Sequence, residues 1–316
     1  MTKPSLDATA SRRPTIHSLA ILGFSLVTAA TLVHGRQVHR GNIRVDVNLV
    51  EILASVSDAD GHPLANLPES AFSISEEGVP QKIVRFEPET NRPLDLALMV
   101  DSSMSAEKDL KFEEESAAHF ISQVVRPGDS LALFQFSDSV IQLSEYTDHV
   151  PELESATRHI SPGAGTAMYD ALVLGSRSLA ALPTGRRRAI VLVTDAGETT
   201  STSRYEDAQR AAVSSGALLY SVIIRPVKNE NGRNTAGEHA LITITDYAGG
   251  DFFILDSLSQ LQDIFDRINR ELRTQYLIGY YPNPAPPPGS LRHISLQVAG
   301  GDTVRYRKEY FTPRAR

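Results

Sequence analysis

Three stretches of the chain collect oxygen-bearing side chains: Asp101-Ser102-Ser103-Met104-Ser105, Gly163-Ala164-Gly165-Thr166 and Thr194-Asp195-Ala196-Gly197-Glu198. The first places a carboxylate and two hydroxyls on alternate positions. The second lets the backbone approach closely and presents a hydroxyl, and the third adds a further carboxylate. Oxygen ligands from separate loops suit a hard divalent cation such as Mg²⁺, which keeps water and accepts an outside carboxylate instead of being fully caged. Taken singly, each residue has a plainer role: Ser103, Ser105 and Thr166 as helix caps, Asp195 as a turn residue. Their coincidence at the ends of strands that should be neighbours points to a metal site.

Such loops need a sheet behind them. Residues 94–100 are an apolar run, interrupted at Asp95 and ending in Asp101, the pattern of a strand buried on both faces of a parallel sheet. Residues 130–136, 189–194, 218–224 and 252–255 repeat it, separated by amphipathic stretches at 112–125, 168–182, 205–215 and 258–272. The alternation predicts an α/β fold over residues 90–273: a doubly wound, mainly parallel sheet with helices on both faces, and residues 138–143 as an antiparallel edge strand. Ligands of such sheets bind beyond the carboxyl ends of the strands. On either side the rhythm is β. Strands at 43–57, 71–75 and 81–86 make an N-terminal module over residues 43–88, and strands at 276–281, 291–298 and 303–311, interrupted by proline-rich 282–288, occupy residues 274–316. Three strands alone bury too little apolar area. The two sets are therefore expected to complete one small β-sandwich into which the α/β domain is inserted.

DxSxS after the first buried strand, GxGT before a helix and a strand-terminal TD occur in that order. As a set they resemble the von Willebrand factor type A domain with its metal-ion-dependent adhesion site. The resemblance implies that Asp101, Ser103, Ser105, Thr166 and Asp195 occupy the five metal positions. It also implies that Ser103, Ser105 and a threonine oxygen touch the ion directly, that the aspartates act directly or through water, and that an Asp or Glu of a partner protein completes the shell. The ion would be Mg²⁺, or Mn²⁺ or Ca²⁺, and the function binding or adhesion without catalysis. Flanking stretches A-F-S-I-S-E-E-G-V-P-Q-K-I-V-R-F and Q-Y-L-I-G-Y-Y-P resemble bacterial exported proteins described as von Willebrand factor A-related, known mainly from acidobacteria-like genomes. One departure concerns the third loop. Ala196 follows Asp195 where the common form has glycine, which leaves the path of that loop open.

Other chemistries find less support. No GxSxG elbow strains Ser103 into a nucleophile, no HExxH pair occurs among the nine histidines, and Gly163-Ala164-Gly165-Thr166 lacks the lysine of a phosphate loop. With no cysteine, thiolate metal sites and disulfides are excluded. A metal-assisted hydrolase would need a general base near the ion, for which no candidate stands out. A structural envelope module with no open ligand position is the other alternative. Asp170, just beyond Thr166, is a candidate acceptor behind the site. Glu113-Glu114-Glu115 reads as a solvated helix face, the tyrosines 276, 280, 281, 306 and 310 as strand packing, and Arg186-Arg187-Arg188 as a solvated loop in preference to an anion site. A net charge of −7 argues against nucleic acid as a partner. Within residues 1–36, Arg12 and Arg13 precede an apolar stretch at 19–33, shorter than the roughly 20 residues of a comfortable membrane span. It reads as a secretory leader, cleaved or kept as an N-terminal anchor. The expected location is the periplasm, the exterior or the cell envelope, with that anchor the sole membrane contact.

Overall fold

A computed structural model of the chain describes residues 49–88, 91–103, 110–225 and 234–314, all within one unit, Val45–Arg316. The leader expected at 1–36, the opening of the strand expected from residue 43, and Ser105 lie outside the described residues. The chain begins with strands β1 (Val50–Ser57), β2 (Phe72–Glu76), β3 (Val79–Gln81) and β4 (Ile83–Glu87). It then runs through β5 (Leu94–Asp101), α1 (Leu110–Val124), β6 (Ser130–Phe136), β7 (Val140–Gln142), α2 (Val150–Thr157), α3 (Met168–Ala181), β8 (Arg187–Thr194), α4 (Tyr205–Ser215), β9 (Leu218–Ile224), α5 (Thr235–Ala248), β10 (Phe252–Leu255) and α6 (Leu261–Arg273). Strands β11 (Tyr276–Tyr280), β12 (Leu291–Val298), β13 (Thr303–Tyr306) and β14 (Glu309–Phe311) close it.

The central sheet has the order β10-β9-β8-β5-β6-β7, parallel throughout except for antiparallel β7 at one edge. Every residue of β5 is buried, because it pairs with β6 on one side and β8 on the other and is covered on both faces. Side chains alternate across a strand. Leu94, Leu96, Leu98 and Val100 therefore join a core shared with α1, α2 and α6, whereas Ala97 and Met99 join one shared with α3, α4 and α5. Phe120 of α1 and Phe265 of α6 stack at 4.5 Å between ring centres. The doubly wound architecture is as the alternation predicts. Helices α2 and α5 are additional to it, and α6 is preceded by a 3₁₀ turn, Leu258–Gln260.

The flanking strands form two antiparallel sheets, ordered β13-β1-β11-β4 and β14-β12-β2-β3, with strands from both ends of the chain in each. Val50, Ile52, Phe72, Ile74, Tyr276, Ile278, Tyr280, Ile294, Leu296, Tyr306 and Tyr310 fill the space between them. Two expected strands are each broken in two: residues 81–86 divide between β3 and β4, and 303–311 between β13 and β14, the halves lying in opposite sheets. Glu76, 1% exposed, sits inside this core and accepts from Tyr280 Oη at 2.7 Å, Tyr310 Oη at 3.0 Å and Arg292 Nε at 2.7 Å. Tyr281, by contrast, is exposed. A second polar group ties the sandwich to the α/β layers. Arg305 of β13 donates to Glu271 Oε2 of α6 at 2.7 Å, and Tyr220 of β9 donates to Glu271 Oε1 at 3.1 Å.

The expectation of a solvated loop at Arg186-Arg187-Arg188 is overturned. Arg187 and Arg188 open β8, and Arg187 is 3% exposed, donating to the Arg92 carbonyl at 2.7 Å and to the Leu272 carbonyl. The aliphatic stem of an arginine packs readily while its head reaches strand-end carbonyls.

Candidate metal centre

Asp101 is the last residue of β5 and Asp195 the first after β8, and these strands are adjacent and parallel, with Val100 opposite Val193. The chain leaves β5 to build the sheet on one side and returns to build it on the other. The pair thus stands at the topological switch point, where the loops diverge and leave a crevice. The second loop comes in alongside the first: Ser103 and Gly163 form an isolated parallel bridge, and Gly163 N donates to Ser102 O at 2.8 Å. Gly197, in the third loop, stands where that loop meets the second. A methyl group built on it would stand 2.9 Å from Asp195 Oδ1 and 3.2 Å from Thr166 Oγ1. The fold brings Asp101, Ser103, Thr166 and Asp195 to one end of the sheet; Ser105 is outside the described residues.

Asp101 is 2% exposed. Its Oδ1 accepts from Ser103 N at 2.9 Å and its Oδ2 from Thr194 Oγ1 at 2.6 Å. Burial pushes its carboxyl up to about 6, opposed by the Thr194 hydroxyl and reinforced by the negative charge of Asp195. Asp195 Oδ1 accepts from Gly197 N at 2.8 Å. Among the described residues, no Lys, Arg or His pairs with either carboxylate. A carboxylate accepts up to about four hydrogen bonds or ligand contacts, so both aspartates keep oxygen capacity. Two neighbouring carboxylates without a cation of their own, next to hydroxyls, fit a divalent metal: it would neutralise the charge that burial penalises.

A set of residues behind the candidate ligands holds these loops; of them, the sequence reading singled out Asp170 alone as an acceptor. Thr194 orients Asp101 and accepts from Ala196 N at 3.0 Å. Asp138 accepts from Ala164 N at 2.9 Å, and Thr199 Oγ1 from Thr166 N at 2.9 Å, while Thr166 O receives Thr199 N at 2.9 Å. Glu198 Oε2 takes Tyr169 N at 3.0 Å and Ser201 Oγ at 2.8 Å, placing its charge at the amino end of α3, where it is favoured. Asp170 accepts from Thr202 N and Ser203 N, both at 2.8 Å, so it fastens the loop after β8 to α3. Burial opposes its charge, yet these donors hold its carboxyl below the usual value. Ala196 has φ of 61°, so the third loop makes the left-handed turn that glycine would make, with alanine in its place.

Asp58, Asp60 and His62 also gather ligand atoms, within 4.8 Å of one another. There Asp58 Oδ1 accepts from Asp60 N at 3.0 Å and His62 N at 2.8 Å, which closes the turn after β1 and accounts for the arrangement.

The family model described as von Willebrand factor type A domain matches residues 95–267, more than half of the chain. No curated protein matches. Among solved structures, the conserved hypothetical protein BatB from Bacteroides thetaiotaomicron is 18% identical, over 56% of this chain and 98% of that one, with a TM-score of 0.45. The vWF domain of the type V pili tip protein Mfa5 from Porphyromonas gingivalis is 14% identical over 57% of this chain and 95% of that one, with a TM-score of 0.47. A von Willebrand factor type A protein from Catenulispora acidiphila is 12% identical over 86% of this chain and 75% of that one, with a TM-score of 0.49.

Proposed function

The chain belongs to the von Willebrand factor type A domain family, and we propose on that footing that it is a metal-dependent protein-binding module. Asp101, Ser103, Ser105, Thr166 and Asp195 would hold Mg²⁺, Mn²⁺ or Ca²⁺. When bound, the ion offers a position that an Asp or Glu of a partner protein fills. The observation that carries this reading is the meeting of buried Asp101 with Asp195 and Thr166 at the switch point of the sheet.

The protein's own contribution is preorganisation. Ser103 N and the Thr194 hydroxyl fix the Asp101 carboxylate, Gly197 N fixes that of Asp195, and the Thr199 hydroxyl fixes the backbone of Thr166. Rotamers held in this way lose little entropy when a ligand arrives. Glu198, the nearest further carboxylate in the loop, is occupied at the start of α3, in keeping with a site that binds and does not catalyse. In the proposed organisation, residues 90–273 form the binding domain, the strands within 43–88 and 274–316 form its platform, and residues 1–36 export the protein as leader or anchor. It would act in the periplasm, outside the cell or on the envelope.

The test is calorimetric titration with Mg²⁺, Mn²⁺ and Ca²⁺. Native protein is expected to bind at one site, with binding lost in Asp101→Ala and in Ser103→Ala/Ser105→Ala. Unchanged binding in both variants would put the ion elsewhere.

A further inference from the structure

The end of the central sheet away from Asp101 has a chemistry of its own. The amino ends of β8 and β9 border a cavity of about 140 Å³, enough for several waters. With β5 eight residues long, this cavity lies roughly 25 Å from the candidate metal centre. Five arginines line it, Arg92, Arg186, Arg187, Arg188 and Arg307, against one carboxylate, Glu51. The charges are unevenly matched. Arg92 pairs with Glu51 at 3.1 Å and Glu87 at 3.5 Å, and Arg186 with Asp95 at 2.7 Å. Glu51 is also held by Arg85 at 3.0 Å, so its charge is already neutralised.

Arg187, Arg188 and Arg307 have no carboxylate within ion-pair distance among the described residues. Arg187 donates to carbonyls and to Gln275 Oε1 at 3.3 Å. Arg188 donates to Ser215 O at 3.1 Å and Leu182 O at 2.9 Å, and its buried Nε has no partner. Arg307 reaches Glu51 O at 3.5 Å, a marginal hydrogen bond. Arg187 and Arg188 are successive strand residues and turn to opposite faces of the sheet, Arg187 towards Leu272 and Gln275 and Arg188 towards Ser215 and Leu182. Arg188 and Arg307 therefore meet beside Ser215 and Gly216, and holding two guanidinium groups there without counter-charge is costly. Desolvation lowers Arg307; it also draws Arg187 down to about 10, but there the charge of Asp129 opposes the shift. An anion in the cavity would relieve Arg188 and Arg307.

The guanidinium fork matches pairs of oxygens on phosphate-like and carboxylate groups, and the two uncompensated charges of Arg188 and Arg307 select a dianion over a single carboxylate. We infer that this cavity binds a tetrahedral dianion, phosphate or sulfate, free or as the terminal group of an ester. Exposed Thr184 and Gly185 on its rim leave it open to solvent, so the rest of an ester can remain outside.

The test is calorimetric titration of the full chain with inorganic phosphate, sulfate, O-phosphoserine and acetate at constant ionic strength. Phosphate and sulfate are expected to bind at least tenfold more tightly than acetate, and the ratio of O-phosphoserine to inorganic phosphate affinity distinguishes an esterified from a free ligand. Arg188→Gln and Arg307→Gln should each weaken phosphate binding at least tenfold, whereas Asp101→Ala should not change it. Glu51→Gln removes the cavity's carboxylate and should tighten phosphate binding at least threefold, a gain that misfolding does not mimic. Acetate binding as tightly as phosphate, or phosphate binding unmoved by both arginine substitutions, would overturn the assignment.

Discussion

Gly237, in the first turn of α5, packs against the carbonyl of Ala196 so closely that a methyl group added there would stand 2.0 Å from the oxygen. The helix thus braces the loop that carries Asp195. In a helix, glycine to alanine ordinarily stabilises by about 1 kcal/mol. Here the added methyl must displace backbone, an overpacking cost of about 1–3 kcal/mol. Gly237→Ala is expected to lower the melting temperature and to weaken Mg²⁺ binding. A higher melting temperature would show that the two segments do not touch.

Asp101 makes the metal-free protein sensitive to pH. Its folded carboxyl titrates at about 6 against an ordinary value of 3.8. The folded state therefore holds the proton more tightly, and the resulting stability is fully present below 3.8 and lost as pH rises through 6. Ionising it in place costs at most about 3 kcal/mol. With chelator at pH 8, Asp101→Asn should melt above the native protein, with the gap narrowing towards pH 5. Mg²⁺ should raise the melting temperature of the native protein alone. A variant that melts lower at pH 8 would contradict the burial argument.

Ala196 tolerates its left-handed backbone because it has a single methyl group. Glycine would relieve about 1–2 kcal/mol of strain while forfeiting about 0.8 kcal/mol of buried methyl and some unfolded-state entropy. Ala196→Gly should be within about 1 kcal/mol of native by urea unfolding and retain metal binding. Ala196→Val places a branched side chain at positive φ and should destabilise by about 2 kcal/mol or more. Equal effects of the two substitutions would remove the left-handed turn from the account.

Glu76 collects two tyrosine hydroxyls and one guanidinium inside the sandwich. Removing the carboxylate leaves a charge and two hydroxyls unanswered. Glu76→Ala is expected to cost about 3–5 kcal/mol in urea unfolding, and Tyr310→Phe about 1 kcal/mol. If Glu76→Ala costs under 1 kcal/mol, water replaces the network without penalty.

The strands of the central sheet were readable because burial on both faces leaves a nearly continuous apolar run, as in residues 94–100, where Asp95 is the one exception. Helix α5 was not, since Thr235–Ala248 carries β-branched Thr243, Ile242, Ile244 and Thr245, which weigh against helix. Its signal lay in the spacing of Gly237, Leu241, Ile244 and Ala248, the positions it buries. Helix α2, eight residues long, is too short to establish a period. The exchanges between sheets at Lys82 and between Tyr306 and Glu309 were hidden as well, because alternation reports which face of a strand is buried and carries no information about the sheet it belongs to. At the candidate site, Asp101 and Asp195 were legible from their place after apolar runs. Thr194 and Asp138 acquire their roles from partners 93 and 26 residues away, a relationship that local spacing does not encode.

The pairing of β1 with β11 and β13 has a consequence for the order in which the chain folds. Contacts such as Tyr276 Oη to Leu64 O span 212 residues; β2 finds β3 locally, but β1 has no strand partner until β11 and β13 are available. The α/β layers are assembled from neighbouring segments and can condense first; they then hold the two ends of the sandwich at a short distance, which reduces the closure entropy of a very long loop. The sandwich is thus the last part of the unit to form, and β1 and β4, whose partners are all C-terminal, stay unpaired for longest during synthesis.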